Sequence, residues 1–235
     1  MDTRELANRP WILLPGTLCT SAVFDGFLDV LGVAAALRTP VQLNRPSIKD
    51  YHTTFETIPD GAIVCGFSLG AIVAAHYADD VTAHTLILFG VNPFADDPEK
   101  EQPRLDLARD VVALGGAAAL QKRAPDVYGP TPDKTRAQIY TMADASTNHI
   151  DDQTRLALTR SGALPALAKA QMPVLALTGS QDSSAPISQG IAAAQAAPNG
   201  QFSSLDGLGH FALLEDPDGC AETVMQMMEP QHDTV

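Results

Sequence analysis

The sequence Gly-Phe-Ser-Leu-Gly at residues 66–70 places Ser68 between two glycines, with one residue on each side. It follows an apolar run, Ala62–Cys65, that predicts a buried strand, and Ser68–Tyr77 has the composition of a helix. A strand, a sharp turn and a helix in this order form a nucleophile elbow, which exposes the serine hydroxyl beside the amides of a helix N-terminus. The flanking glycines leave room for such a turn, where a Cβ would collide with the backbone. This context predicts that Ser68 is a nucleophile, and the alternative is a turn of small residues without chemistry.

A serine hydroxyl needs a base to take its proton. Among the six histidines, His210 lies in a glycine-flanked loop directly after a predicted strand, Gln201–Leu205. Catalytic groups of open α/β sheets lie at the carboxyl ends of strands, so His210 is the predicted base. The other histidines are interpreted as structural or surface residues, although His149 falls in a long helical segment and could contact a substrate.

The base needs a carboxylate that fixes its tautomer and stabilises its protonated form. Asp182 follows the apolar strand Val174–Thr178 and is predicted to have this role. Asp206 is the alternative, but it lies so close to His210 in the chain that it is expected to shape the loop instead.

Backbone amides near the nucleophile can stabilise an oxyanion. The first predicted strand, Trp11–Leu14, ends at Pro15-Gly16, and its loop should supply one donor. We expect the amides of Thr17 and Leu69 to form the oxyanion hole, with Leu18 as the alternative to Thr17.

Strand and helix patterns alternate along the chain, which predicts one α/β domain over residues 1–235, with a parallel sheet covered by helices on both faces. The region 92–172 shows no strand pattern, and about 80 residues are too many for an ordinary connection. We interpret it as a helical lid, although its helices could also be ordinary cover for the sheet. Further expectations are a helix at Ser21–Leu37 and a weak strand at Val41–Leu43. Candidate substrate contacts, each of a type more often found in a core, are Leu18, Phe67, Phe94, Tyr128, Tyr140 and Met142.

Composition narrows the possible partners. The formal net charge is −13, which argues against nucleic acid and against an anionic membrane surface. The three cysteines lie far apart and give no zinc or redox motif, and no cofactor or metal is expected. Because neither a signal peptide nor an apolar run long enough for a membrane span is seen, we expect a cytoplasmic protein. Its expected partner is a small ester-like molecule, and its expected state is a monomer or homodimer.

Taken together, these motifs resemble the α/β-hydrolase superfamily over nearly the whole chain. The chain order Ser68, Asp182, His210 is the order of that superfamily. The resemblance is strongest to small cofactor-free esterases and lactonases related to 3-oxoadipate enol-lactonase and pimeloyl-carrier-protein methyl ester esterase. The motifs that carry it are Leu14-Pro15-Gly16, residues 66–70, Gly179-Ser180-Gln181-Asp182 with Pro186, and Gly209-His210 followed by Glu215-Asp216-Pro217.

The sequence departs from this pattern in two places. Pro15-Gly16 stands where relatives commonly have His-Gly, and no strand pattern precedes Trp11, where relatives usually have two strands. The resemblance therefore implies an α/β-hydrolase fold with about six mostly parallel strands. It also implies a serine hydrolase that cleaves a carboxylic ester, lactone or thioester through an acyl-enzyme. The alternatives are a lyase or carbon–carbon hydrolase on the same scaffold and, less favoured, a non-catalytic small-molecule receptor.

Overall fold

The computed structural model describes residues 3–123 and 132–229, and its centre is one six-stranded sheet. Every neighbouring pair of strands is parallel, in the order β2-β1-β3-β4-β5-β6. The predicted α/β-hydrolase fold, with about six mostly parallel strands, is confirmed. The strands are β1 (Trp11–Leu14), β2 (Arg38–Pro40), β3 (Ile63–Phe67), β4 (Thr85–Phe89), β5 (Val174–Gly179) and β6 (Gly200–Leu205).

Helices connect the strands and cover both faces of the sheet. In the described ranges they are α1 (Thr3–Ala7), α2 (Asp25–Val30), α3 (His52–Glu56), α4 (Leu69–His76), α5 (Glu101–Leu114), α6 (Gly116–Gln121), α7 (Asp133–Ala145), α8 (Ile150–Thr159), α9 (Leu164–Leu167), α10 (Ile187–Ala196), α11 (Ala212–Glu215) and α12 (Pro217–Met228). None of them is both long and apolar enough to span a membrane.

The apolar core is divided by the sheet because successive side chains of a strand point to opposite faces. Trp11 and Leu13 pack in one buried cluster with residues of α2 and α12, whereas Ile12 and Leu14 pack in the other with residues of α4 and α10. All residues of β1, β3, β4 and β5 are buried, as expected for strands with helices on both sides.

The segment Ser21–Leu37, predicted as one helix, forms three short pieces. It comprises the 3-10 turns Ser21–Phe24 and Ala35–Leu37 on either side of α2. Gly32, with φ +71°, ends α2. The amide of Gly32 donates to the carbonyl of Asp29, and that of Val33 donates to the carbonyl of Leu28. This is a Schellman motif, which a glycine adopts without a Cβ penalty, so the continuous-helix prediction was wrong.

The second strand lies three residues before the weak prediction at Val41–Leu43. Arg38–Pro40 pairs with Trp11–Leu13 at the edge of the sheet, and the amide of Val41 still donates to the carbonyl of Leu13 at 2.8 Å. Leu43 is buried against the core instead of continuing the ladder.

The carboxyl ends of β3, β5 and β6 meet at one edge of the sheet, because all strands are parallel. Ser68 follows β3 directly, Asp182 lies three residues after β5, and His210 lies five residues after β6. Between β4 and β5 the described residues form α5 to α9 and no strand. The topology thus brings the three candidate catalytic residues together.

Candidate active site

Ser68 occupies a strained turn between β3 and α4. Its φ of 52° and ψ of −118° lie outside the regions that most residues adopt, and such strain commonly costs about 1–3 kcal/mol. A Cβ on Gly66 would lie 2.5 Å from the Cα of Ala71, and one on Gly70 would lie 1.9 Å from the carbonyl oxygen of Leu14. Both glycines of the motif are therefore required by close backbone contacts.

The side chains of Ser68, His210 and Asp182 form a continuous hydrogen-bonded chain. The Nδ1 of His210 lies 2.7 Å from the Oδ2 of Asp182, and its Nε2 lies 3.0 Å from the Oγ of Ser68. Because an ionised carboxylate only accepts hydrogen bonds, Nδ1 carries the imidazole hydrogen and Nε2 is left to accept from the serine hydroxyl. The arrangement can remove a proton from Ser68.

The Asp182 carboxylate is fixed by its own loop. Its side chain is 1% exposed, and its Oδ1 accepts hydrogen bonds from the amides of Ser184 at 2.8 Å and Ala185 at 2.9 Å. The alternative acid, Asp206, is exposed and accepts from the hydroxyl of Ser180 at 3.5 Å. The residue that faces the imidazole is Asp182.

The His210 loop is held from below by Glu215, whose Oε2 accepts from the amide of Gly209 at 2.6 Å. Burial raises the pKa of the Glu215 carboxyl, and the hydrogen bond from Gly209 opposes this shift only in part.

Gly90, directly after β4 and with φ +57°, lies beside the imidazole of His210. A Cβ there would lie 3.2 Å from the Cε1 of His210 and 3.3 Å from the Oδ2 of Asp182.

The loop after β1 approaches the nucleophile closely. A Cβ on Gly16 would lie 3.0 Å from the Cβ of Ser68, and Thr17 and Leu69 both line the cavity at Ser68. Leu69 is the first residue of α4, so its amide has no acceptor within the helix. The amide of Leu18 instead donates to the Oε1 of Gln153 at 3.0 Å. Of the two loop amides considered, that of Leu18 is already engaged within the protein.

A cavity of about 420 Å³ opens at Ser68 and His210. Of the predicted substrate contacts, Leu18 and Phe67 line it. Phe94 is 43% exposed, Tyr140 packs against the core, and Met142 is buried in the core beside a second groove, so the structure places these three outside the cavity wall. Tyr128 lies outside the described residues. His149 does not line this cavity.

Several residues that shape the site were not predicted. Gln153, Gly90 and the cavity-lining Arg104 and Arg160 reach it from helices or loops distant in sequence. Of these residues, only Gly90 could have been recognised from the sequence. It directly follows the apolar strand Thr85–Phe89 and therefore stands at the carboxyl end of a strand. Within the described ranges, no group of three or more His, Cys, Asp or Glu side chains could hold a metal ion.

The fold agrees with comparisons to solved structures. MenH from S. aureus superposes with a TM-score of 0.79 at 17% identity, covering 94% of this chain and 94% of that one. A thermophilic esterase from Thermogutta terrifontis gives 0.75 at 18% identity, with 94% and 89% covered. The enol-lactonase from Burkholderia xenovorans LB400 gives 0.75 at 19% identity, with 94% and 92% covered. At these identities the likeness concerns the fold alone.

Sequence comparison defines the family. No curated protein sequence matches the chain. The model of an alpha/beta hydrolase family matches residues 11–223, which span all six strands and the three residues of the hydrogen-bonded chain. The protein is therefore an enzyme of the hydrolase type that belongs to the α/β-hydrolase family.

Proposed function

We propose that the enzyme cleaves a carboxylic ester of a small molecule, or a related lactone or thioester, through an acyl-enzyme on Ser68. The observation that carries the proposal is the hydrogen-bonded chain from Asp182 through His210 to Ser68, with distances of 2.7 Å and 3.0 Å. Its last member lies in the wall of a cavity large enough for a small ligand. Two solved structures of the same fold are named as an esterase and an enol-lactonase, and ester or lactone cleavage is in keeping with those names.

In the first half of the reaction, the Oγ of Ser68 attacks the ester carbonyl carbon and its proton passes to the Nε2 of His210. The carbonyl π electrons move to the oxygen, which the amides of Thr17 and Leu69 stabilise in this proposal. The carbon–oxygen bond of the ester then breaks, and the leaving alcohol takes the proton from His210. Asp182 holds the imidazole and stabilises its protonated form without taking the proton itself.

In the second half, water gives a proton to His210 and attacks the acyl carbon. The bond from that carbon to the Oγ of Ser68 breaks, the serine regains its proton from His210, and the carboxylic acid leaves. The buried position of Asp182 supports this cycle, because a carboxylate that accepts two backbone amides stays in place through both halves.

The test is turnover of para-nitrophenyl esters of graded acyl length, from acetate to decanoate, by wild type and Ser68→Ala. The proposal expects hydrolysis of at least the short esters by wild type and none above background by the variant. An enzyme that cleaves none of these esters, although a fluorophosphonate modifies Ser68, would favour a lyase or carbon–carbon hydrolase. A protein that shows neither ester cleavage nor modification would favour a receptor.

A further inference from the structure

Positive side chains gather in the wall of the cavity that contains Ser68. Lys100, Arg104, Arg123 and Arg160 line it, and no Asp or Glu of the described residues does. The chain as a whole has the opposite balance, with 15 Lys and Arg against 28 Asp and Glu. Local charge of this sign attracts anions that the rest of the protein surface would repel.

Asp96 organises two of these cations. Its Oδ2 accepts from the Nε of Arg104 at 2.7 Å, while its Oδ1 accepts from the Nη2 of Arg104 at 2.8 Å and from the Nη1 of Arg160 at 2.7 Å. The Asp96 side chain is 5% exposed. Two guanidinium groups and one carboxylate leave this cluster with one uncompensated positive charge, which a single carboxylate would neutralise. A phosphate monoester, with a charge of about −1.5 to −2, would match it less well.

Arg160 keeps one donor unused. Its Nη1 also donates to the carbonyl of Ala157 at 2.6 Å, and its Nε donates to the carbonyl of Phe94 at 3.3 Å. The side chain is 0% exposed, yet its Nη2 has no acceptor in the part of the chain that the structure describes. Because buried donors in native proteins are nearly always hydrogen-bonded, an unpaired guanidinium nitrogen in a cavity-lining residue points to an acceptor supplied by a ligand.

Arg104 provides the accessible half of the pair, since its side chain is 29% exposed in the same cavity wall. Much of the remaining wall is apolar, including Ile72, Leu107 and Phe211. Charges act more strongly in such surroundings than in water, and a guanidinium matches the planar geometry of a carboxylate.

We propose that the ester cleaved at Ser68 carries a carboxylate group, and that Arg104 and Arg160 bind this carboxylate inside the cavity. This inference rests on the proposed ester hydrolysis and adds the substrate class to it. Neutral esters of the same shape should then be poorer substrates than their acidic counterparts.

The test compares monomethyl glutarate with methyl glutaramate, which differ only in a terminal carboxylate or primary amide. The corresponding succinate and adipate pairs vary the distance between ester and charge. We expect kcat/KM of wild type to be at least about tenfold higher for the acid of the best pair, equivalent to one charge-assisted contact. The preference should shrink as salt is raised, because salt screens the attraction.

The variants are Arg104→Gln and Arg160→Lys, with Arg109→Gln as control. Arg109 lies on α5 like Arg104, pairs with Asp106 and has a 68% exposed side chain, so the control removes the same charge outside the cavity. Arg104→Gln should reduce the ratio of kcat/KM for the acid to kcat/KM for the amide to below about threefold. Arg160→Lys keeps a charge beside Asp96 but removes the forked donor, and should also reduce the ratio. Arg109→Gln should keep the wild-type ratio.

Calorimetric titration of monomethyl glutarate and methyl glutaramate into Ser68→Ala measures their binding affinity without turnover. This measurement tests the inference even if the arginine variants fail to fold. Tighter binding of the acid supports the inference. If a fluorophosphonate modifies Ser68 but acid and amide are cleaved and bound equally, the carboxylate site is overturned and the hydrolase proposal stands. If there is no modification and no cleavage while the acid binds more tightly, the hydrolase proposal fails and the carboxylate site stands.

Discussion

The Oε1 of Gln153 accepts a hydrogen bond from the amide of Leu18 at 3.0 Å, across 135 positions of the chain. Gln153 is 2% exposed and belongs to α8, whereas Leu18 lies in the loop after β1 with φ 55°. The contact fixes an unfavourable backbone conformation one residue after Thr17, the proposed oxyanion donor. Gln153 is thus a positioning residue of the proposed site.

We expect Gln153→Met, which keeps the length but removes the acceptor, to lower kcat by about tenfold with little change in KM. Loss of an oxyanion donor itself costs about 10²–10³ in kcat, and a displaced donor should cost less. Gln153→Glu keeps an acceptor oxygen and should retain more of kcat. Steady-state kinetics on a para-nitrophenyl ester provides the measurement, with the exposed Gln171→Met as control. Equal losses of kcat in Gln153→Met and Gln153→Glu would show that the hydrogen bond accepted by Gln153 does not position the loop.

Asp182→Asn should slow the reaction by about 10⁴-fold while the protein stays folded, because the imidazole tautomer is no longer held. Asp206→Asn is the matched control, since that carboxylate is exposed and contacts Ser180 instead of His210. Its activity should remain near wild type in the same assay. The assignment of the acid is wrong if the Asp206 variant is the damaged one.

Gly90→Ala tests whether catalysis requires the space that Gly90 leaves beside the imidazole of His210. Gly90 and Gly32 both have positive φ, but a Cβ on Gly90 meets His210 and Asp182, whereas one on Gly32 meets nothing within 4 Å. Both alanine variants should lose about 1–2 kcal/mol of unfolding free energy from the left-handed backbone, measured by urea denaturation. Only Gly90→Ala should also lower kcat/KM. Equal kcat/KM in the two variants would show that the contact has no catalytic consequence.

Asp96→Asn tests how much the ion pairs of Asp96 contribute to the free energy of unfolding, and how that contribution depends on pH. Burial raises the pKa of the Asp96 carboxyl, but the hydrogen bonds and charges of Arg104 and Arg160 outweigh this effect and hold the pKa below its ordinary value of 3.8. A lowered folded-state pKa stabilises the protein above the unfolded pKa, and this stabilisation is lost as pH falls through the folded value.

At pH 7 we therefore expect Asp96→Asn to reduce the free energy of unfolding by about 3–5 kcal/mol, since it leaves buried arginine charge uncompensated. The difference from wild type should narrow below the ordinary carboxyl pKa of 3.8. Asp106→Asn, whose carboxylate pairs with the exposed Arg109, should cost about 0–1 kcal/mol. Urea titrations from pH 7 down to pH 3 give the measurement. A constant difference in unfolding free energy between wild type and Asp96→Asn over that range would show that the ionised Asp96 carboxylate does not stabilise the fold.

The sequence predicted the six-stranded fold and the residues at its strand ends well, because those signals are local. An apolar run followed by a glycine-rich turn indicates a strand end, and parallel strands bring their carboxyl ends to one edge. Ser68, Asp182 and His210 could therefore be placed together without knowledge of packing. The division of Ser21–Leu37 into short pieces was not predicted, because its apolar residues have helical spacing. The end of α2 depends on the single residue Gly32.

Only a small part of the cavity wall, Leu18 and Phe67, could be predicted from the sequence. Phe94, Tyr140 and Met142 were chosen by residue type, but the packing of α5 to α8 determines which side chains face Ser68. Charged residues such as Arg104 and Arg160 would be assigned to the surface from sequence alone, since their partner Asp96 is recognised only once three segments of chain are assembled.

Covalent modification by a fluorophosphonate, followed by intact-mass analysis and peptide mapping, tests whether Ser68 is the nucleophile. We expect one phosphonyl group on each wild-type chain, located on Ser68, with loss of ester hydrolysis in proportion to labelling. Ser68→Ala should remain unlabelled and inactive, since removal of the nucleophile alone costs about as much as removal of the whole triad. Labelling at another residue, or Ser68→Ala retaining more than about a tenth of wild-type ester hydrolysis, would show that Ser68 is not the nucleophile.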